Sequence, residues 1–367
     1  MTRDENMRVG LAHVALLQLF VLVSLVMGQA VPRPQGPPVL NFIGRIPLPG
    51  VDGRIDHTSI DLMGQRLFAS ANGDNALVVI DLKTGKEVKQ IKSLNKPQNS
   101  YYVASVNRLF VSNNGDGTVK IFDGTTYALQ RTVQLSSDAD NIRYDARRHH
   151  VLIDYGGEKF LNGKVQGREG MKDGAVAVLD EAGNKVGEIP TGGHPESLQL
   201  EQNGNRIFIN SPDNHYVVVA DLDTNKVLAH WSNPACENYP MALDEAHHRI
   251  FVFCRNNPGY VSVIDTENGK QVTTIPATPQ SSSDDIFYDP SKSRLYVLSS
   301  LQPVFGNPGV IDVIQEKDAA HYEMIATYTT GPVGRDGLFV PELGKLFVST
   351  PRQPTGQGGE YLIYETK

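Results

Sequence analysis

One phrase recurs seven times along this 367-residue chain: a basic residue, then an aliphatic one, then an aromatic or aliphatic one. It stands as Arg66-Leu67-Phe68, Arg108-Leu109-Phe110, His150-Val151-Leu152, Arg206-Ile207-Phe208, Arg249-Ile250-Phe251, Arg294-Leu295-Tyr296 and Lys345-Leu346-Phe347, at spacings of 42, 42, 56, 43, 45 and 51 residues. A second phrase follows each anchor, as in Val78-Val79-Ile80-Asp81, Lys120-Ile121-Phe122-Asp123 and Ser262-Val263-Ile264-Asp265. The Asp leads into a turn such as Lys83-Thr84-Gly85-Lys86, which opens another run rich in β-formers. Short runs of Val, Ile, Phe and Tyr between Gly/Asn/Asp turns every 8–12 residues read as hairpin strands and leave no room for βαβ crossovers. Four strands per unit of roughly 40–45 residues describe a propeller blade, so seven units predict an all-β, seven-bladed β-propeller with four-stranded blades. The seventh unit lacks its fourth strand before Lys367, and a spare strand, Asn41 to Leu48, precedes the first. Pairing the two closes the ring and removes two open edges.

These phrases resemble the YVTN family of seven-bladed propeller repeats, most closely over Phe110-Val111-Ser112-Asn113-Asn114-Gly115-Asp116-Gly117-Thr118-Val119. The resemblance covers residues 41–367 and is similar to that of YncE-like proteins. It implies the fold and a role in binding a ligand or a protein partner, whereas the chemistry must come from the site itself.

The N-terminus reads as an export signal. A nearly charge-free run from Val9 to Met27 ends in Gly28-Gln29-Ala30, a small-x-small processing site. Asp4 and Glu5 are foreign to such a leader, which makes Met7 the alternative start. The expected organisation is a signal peptide over residues 1–30 cleaved after Ala30, a Pro-rich linker over 31–40 and one propeller over 41–367, in the periplasm or outside the cell. No membrane span is expected after cleavage, and a monomer is expected. A net charge of −7 argues against a nucleic-acid partner, and a single Trp against a WD-type or tryptophan-docked quinoprotein propeller. Two cysteines make neither a disulfide-rich scaffold nor a four-thiolate zinc site.

Aligning the blades on their anchors exposes a polar ring. Ten residues upstream stand Asp56, Gln98, Asp140, Glu196, Tyr239, Asp284 and Arg335; nine upstream stand His57, Asn99, Asn141, Ser197, Pro240, Asp285 and Asp336. Six of these are carboxylates, and the connection they occupy lies beside the mouth of the central channel. Asp and Asn suit turns in any case, because their side chains satisfy nearby backbone donors. That explanation does not predict Arg54, His57, His194 and Arg335 arriving at the same mouth. Six residues upstream, Ile60, Tyr102, Tyr144, Leu200, Leu243, Tyr288 and Phe339 should instead pack between blades.

Six carboxylates around one funnel raise one another's pKa unless a cation or Arg intervenes. A cation, or a cationic or polar ligand, over the mouth is therefore the expectation. Three readings compete. A hard divalent cation such as Ca²⁺ would draw on Asp140, Asn141, Glu196, Asp284 and Asp285, while a softer one would recruit His57 and His194, which stand on blades one and four. A lactonase-like hydrolase or isomerase would use His194 or Glu196 as base and Arg335 or Arg54 to hold an anionic substrate, although no lactonase motif matches. Recognition of a small polar ligand, peptide, glycan or periplasmic protein needs only a rigid polar rim, and is the leading expectation. No GxSxG elbow, Walker A loop or dinucleotide fingerprint occurs.

Cys236 precedes the inner strand of blade five and Cys254 ends the second strand of that blade, so a disulfide is feasible in an oxidising compartment; free thiols and a Cys–His copper site with His194 are the other readings. His149, His150, His247 and His248 fall at blade turns and read as solvated. The 56-residue spacing reflects an insertion, Gly156 to Asp173, either a lid over the mouth or a solvated spacer. Longer loops at 301–308 and 352–359 share its face.

Overall fold

The computed structural model describes residues 38–161, 164–168, 170–301, 307–351 and 358–367, with the side chains of 160, 161, 164 and 165 left aside. The export segment and most of the linker lie outside these residues, as do parts of the insertion and of the loops at 301–308 and 352–359.

The chain folds into seven four-stranded antiparallel sheets, each formed by four strands in order from the channel outwards. The inner strands are Thr58–Asp61, Pro97–Val103, Ile142–Asp145, Ser197–Leu200, Asn238–Asp244, Ser281–Asp289 and Gly337–Val340. In the seventh blade the outer strand is the N-terminal one: Leu40–Leu48 pairs antiparallel with Gly359–Thr366, Leu40 opposite Thr366 and Leu48 opposite Gly359. First and last strands of the propeller are thus hydrogen-bonded to one another, and the ring has no free edge there.

The second strand of each blade begins with the repeated basic residue and is then buried along its length, as in Arg66–Ala71 and Arg206–Ser211. Strands covered on both faces by neighbouring blades read as continuous apolar runs; the outer strand of blade four, Lys226–Ser232, alternates because one face meets water. The core is correspondingly divided into seven clusters. The residue six before each anchor falls in a different one of them: Ile60, Tyr102, Tyr144, Leu200, Leu243, Tyr288 and Phe339 each join one.

The basic residue of the phrase ties one blade to the next. Arg66 of blade one donates to the Gly124 carbonyl of blade two at 2.5 Å, Arg108 to Glu181 O of blade three at 2.5 Å, and Arg249 to Ala319 O of blade six at 2.7 Å. Arg206 and Arg294 reach Thr266 O and Lys367 O in the same way. A guanidinium suits this role because it presents several donors on a long apolar stem. In blade three, where the anchor is His150, neighbouring Arg147 reaches Gly204 O of blade four instead.

His149 and His248 stand immediately before their anchors with φ of 56° and 58°, a position that Asn107 and Gly344 fill in other blades with similar φ. They serve the hairpin turn, and both are exposed. Cys236 and Cys254 form a disulfide with Cα atoms 4.8 Å apart, which removes the thiolate that a Cys–His copper site requires.

Candidate functional site at the channel mouth

An extended chain sends successive side chains to opposite sides, so residues entering the inner strand alternate between two levels of the channel. Positions twelve and ten before the anchor face the mouth: Arg54, Lys96, Asp138 and His194 from the first set, and Gln98, Asp140, Glu196, Tyr239, Asp284 and Arg335 from the second, line one cavity of about 310 Å³. Positions nine and seven face deeper. His57, Asn99, Asn141 and Asp285 line a second chamber of about 300 Å³ together with Ser59, Tyr101, Arg143 and Gln199. His57 borders both cavities and forms the partition between them.

The mouth is a network of paired charges. On the side of blades five, six, seven and one, three guanidiniums share Asp284: Arg54 at 3.3 Å, with Arg255 and Arg335 also in contact. Arg54 additionally meets Asp56 at 3.0 Å and Asp336 at 3.4 Å, and these two carboxylates sit behind it rather than in the cavity. Arg255 lies over the Tyr239 ring, 3.5 Å from its centroid. Burial depresses the Arg255 guanidinium to about 10, against the pull of Glu196, and burial together with Arg54 lowers Arg335. Burial would lower Arg54 too, but Asp56, Asp336 and Asp140 leave it above its ordinary value.

Blades three and four, across the ring, supply the acidic side. The His194 ring contacts Gly156 O at 2.9 Å and Asp138 Oδ2 at 3.2 Å through Nδ1, and Glu196 Oε1 at 3.1 Å through Nε2. Burial alone would lower its pKa; Asp138 and Glu196 reverse that and raise it to about 10. The imidazole is then a cation at neutral pH, with both nitrogens donating. Glu196, which burial would raise, is held well below the carboxylate range by His194, Arg168 and Arg255. Burial pushes Asp138 up to about 7, with Glu158 and Glu196 adding to it against His194; burial likewise raises Asp140 well above its usual range, and Asp56 to about 6 despite Arg54. His57 contacts Asp285 at 3.2 Å and lies 3.9 Å from Asp56 and from Asp140; against burial, these carboxylates raise it to about 10.

Sequence reasoning missed several members of this network. Arg255 lies six residues after its anchor, where Asn72 and Asn114 of blades one and two also reach the cavity, so counting forward from the phrase would have found it. Lys96 and Asp138 occupy the same twelfth upstream position as Arg54 and His194. Arg168 carried no such signal, because the insertion has no counterpart in other blades. Within the insertion Lys159–Leu161 and Lys164–Gly167 pair as a small ribbon, and Arg168 beyond it binds Glu158 at 2.6 Å and Glu196 at 3.1 Å. The insertion thereby delivers a cation to the mouth. Gly157, with φ of 74°, lies against the His194 backbone so closely that a side chain there would collide with it.

The five residues expected to bind a hard cation do not converge on one point. Asp284 is covered by guanidiniums, Asn141 donates to Glu196 O at 2.7 Å, and Asp285 accepts from Gly337 N at 2.8 Å as well as meeting His57. Among the described residues, ligand atoms within 4.8 Å of one another occur instead in Asp56–His57–Asp336, Asp138–Glu158–His194 and, away from the mouth, Asp244–His247–Glu316. His57 and His194 fall in separate groups. No protein-family model matches this chain, and no curated protein matches it.

Proposed function

We propose that this chain is an extracytoplasmic ligand-binding propeller whose mouth takes a small polar ligand. The ligand would bring hydrogen-bond donors or positive charge to blade three, and an acceptor to Arg255 and Arg335. One observation carries the reading: Asp140 Oδ1 and Glu158 Oε2 are buried at the mouth without a hydrogen-bond partner among the described residues. Buried polar atoms are almost always paired, and one left bare costs about 1–3 kcal/mol, so these oxygens favour a donor that arrives from outside. The lining is polar almost throughout, with guanidinium donors facing carboxylate acceptors across the channel. A cavity of about 310 Å³ suits a small molecule rather than a folded partner. The disulfide agrees with an oxidising compartment and thus with export. Among the described residues no helix is long and apolar enough to cross a membrane.

A divalent cation is the second reading, favoured by the Asp138–Glu158–His194 group. It would have to displace Arg168 from Glu158 and a proton from His194. The hydrolase reading fares worse. Its base would be His194, protonated at neutral pH, or Glu196, whose lowered pKa makes it a poor proton acceptor.

The test is thermal unfolding of the chelator-treated chain with single additions of L-amino acids, amino sugars, Ca²⁺, Mn²⁺ or Zn²⁺. A ligand at about 100 times its Kd stabilises the native state by about 2.7 kcal/mol. A saturable rise with an organic probe, abolished by Glu158→Gln, supports the proposal. A rise with a metal alone favours the second reading, and no rise with any probe overturns both.

A further inference from the structure

The deeper chamber is chemically unlike the mouth, and it contains a charge that no described residue pairs. Arg143, on the inner strand Ile142–Asp145, points into it. Arg54, Arg168, Arg255 and Arg335 at the mouth each meet a carboxylate, whereas Arg143 has none within 4.0 Å among the described residues. Its guanidinium makes a single hydrogen bond there, to the carbonyl of its own neighbour Ile142 at 2.9 Å. Burial lowers its pKa, and the more distant Asp154, Asp285 and Asp140 do not offset that. A guanidinium offers five donors in a planar fork, and most of this fork is unused.

The surroundings of Arg143 describe what would use it. Tyr101 stands at the corresponding position of the neighbouring blade, and its hydroxyl makes no hydrogen bond with any described residue. Phe287 and Leu338, at the same level on blades six and seven across the channel, supply an apolar wall. Gln199 is tied to Met241 O through its amide nitrogen at 2.8 Å. His57 and Asp285, bound to one another, divide this space from the mouth. The chamber therefore joins one unpaired cation and one free phenol to an aromatic and aliphatic face in about 300 Å³.

We propose that this chamber is a second binding site, separate from the mouth, for a small carboxylate with an apolar body: the carboxylate on the Arg143 fork and the Tyr101 hydroxyl, the body against Phe287 and Leu338. Guanidinium and carboxylate match as paired, parallel hydrogen bonds. Inorganic anions lack the apolar body and bind less well.

Calorimetric titration of the full chain with 4-hydroxybenzoate and with hexanoate, and with inorganic phosphate for comparison, tests the inference. Saturable binding of at least one carboxylate is expected, weakened about tenfold or more by Arg143→Gln, a loss of about 1.4 kcal/mol. Leu338→Trp, which fills the chamber without touching the charge, should abolish binding in a chain that unfolds at the wild-type temperature. Arg255→Gln, at the mouth, should leave binding unchanged. Binding that survives both Arg143→Gln and Leu338→Trp, binding lost only in Arg255→Gln, phosphate binding as tight as the carboxylates, or no binding of either carboxylate would each overturn the proposal.

Discussion

The mouth and the deeper chamber are lined from the same inner strands at positions one to five residues apart, yet they handle charge in opposite ways. At the mouth, guanidiniums and carboxylates neutralise one another: Asp284 alone serves Arg54, Arg255 and Arg335. In the chamber, one guanidinium has no carboxylate within 4.0 Å among the described residues and faces an apolar wall, while Asp285 pairs with His57. A high density of charge and an open demand for a ligand are therefore separate properties. The mouth shows its demand through two bare carboxylate oxygens, the chamber through one underused cation.

The comparison is broken most directly at Asp284. Asp284→Asn removes the carboxylate that three partly buried guanidiniums share, of which Arg54 alone keeps two others, Asp56 and Asp336; removing one partner of a buried ion network costs up to about 3–5 kcal/mol. Urea unfolding should show that loss; a change below about 1 kcal/mol would mean that the mouth is held by packing rather than by its charges. Next comes the disulfide, whose second cysteine directly precedes Arg255 and whose two cysteines are 18 residues apart. The double substitution Cys236→Ser with Cys254→Ser should cost about 3 kcal/mol in the same assay, and an unchanged midpoint would show that closing this loop contributes nothing.

The mouth should also make stability fall with pH. His57 and His194 are raised in the folded chain to about 10 from an ordinary value of 6.5, so what their protonation contributes is complete below 6.5 and lost as pH rises through about 10. Asp138 and Asp56, raised to about 7 and about 6, act with the same sign at lower pH, favouring the native state below 3.8 and losing that contribution by about 7. Glu196 and Arg255, whose values are lowered, act with the opposite sign only below about 4.5 and toward about 10, so urea midpoints at pH 5, 7 and 9 should decline in order. A midpoint that rises over this range would reverse the protonation assigned to both histidines. The smallest effect belongs to the chamber. Arg143→Leu removes a partly buried cation that no carboxylate pairs among the described residues, so the chain should lose less than about 1 kcal/mol or gain stability. A loss comparable to that of Asp284→Asn would erase the contrast between the chambers.

Much of the fold and part of the site were legible in the residues. The phrase around Arg66, Arg108 and Arg206 marks every second strand, because strands buried on both faces must be apolar and because the guanidinium must reach the next blade. Counting back ten positions found Asp140, Glu196, Asp284 and Arg335 at the mouth, and counting back nine found His57 at the partition. The same count placed Asn99, Asn141 and Asp285 beside the mouth residues, whereas strand alternation turns them into the deeper chamber. Arg168 escaped because an insertion has no repeat to be aligned with.

Depth was legible in the residues. The level a side chain occupies along the channel depends on its offset from the anchor, a local property of an extended strand with a period of two. Partnership came with the closed ring. Arg54 meets Asp284 across 230 residues of chain, and His57 of blade one meets Asp285 of blade six. These pairs exist because the N-terminal strand closes the ring and brings all seven inner strands around one axis. Which charges neutralise one another, and which are left to a ligand, follows from that closure.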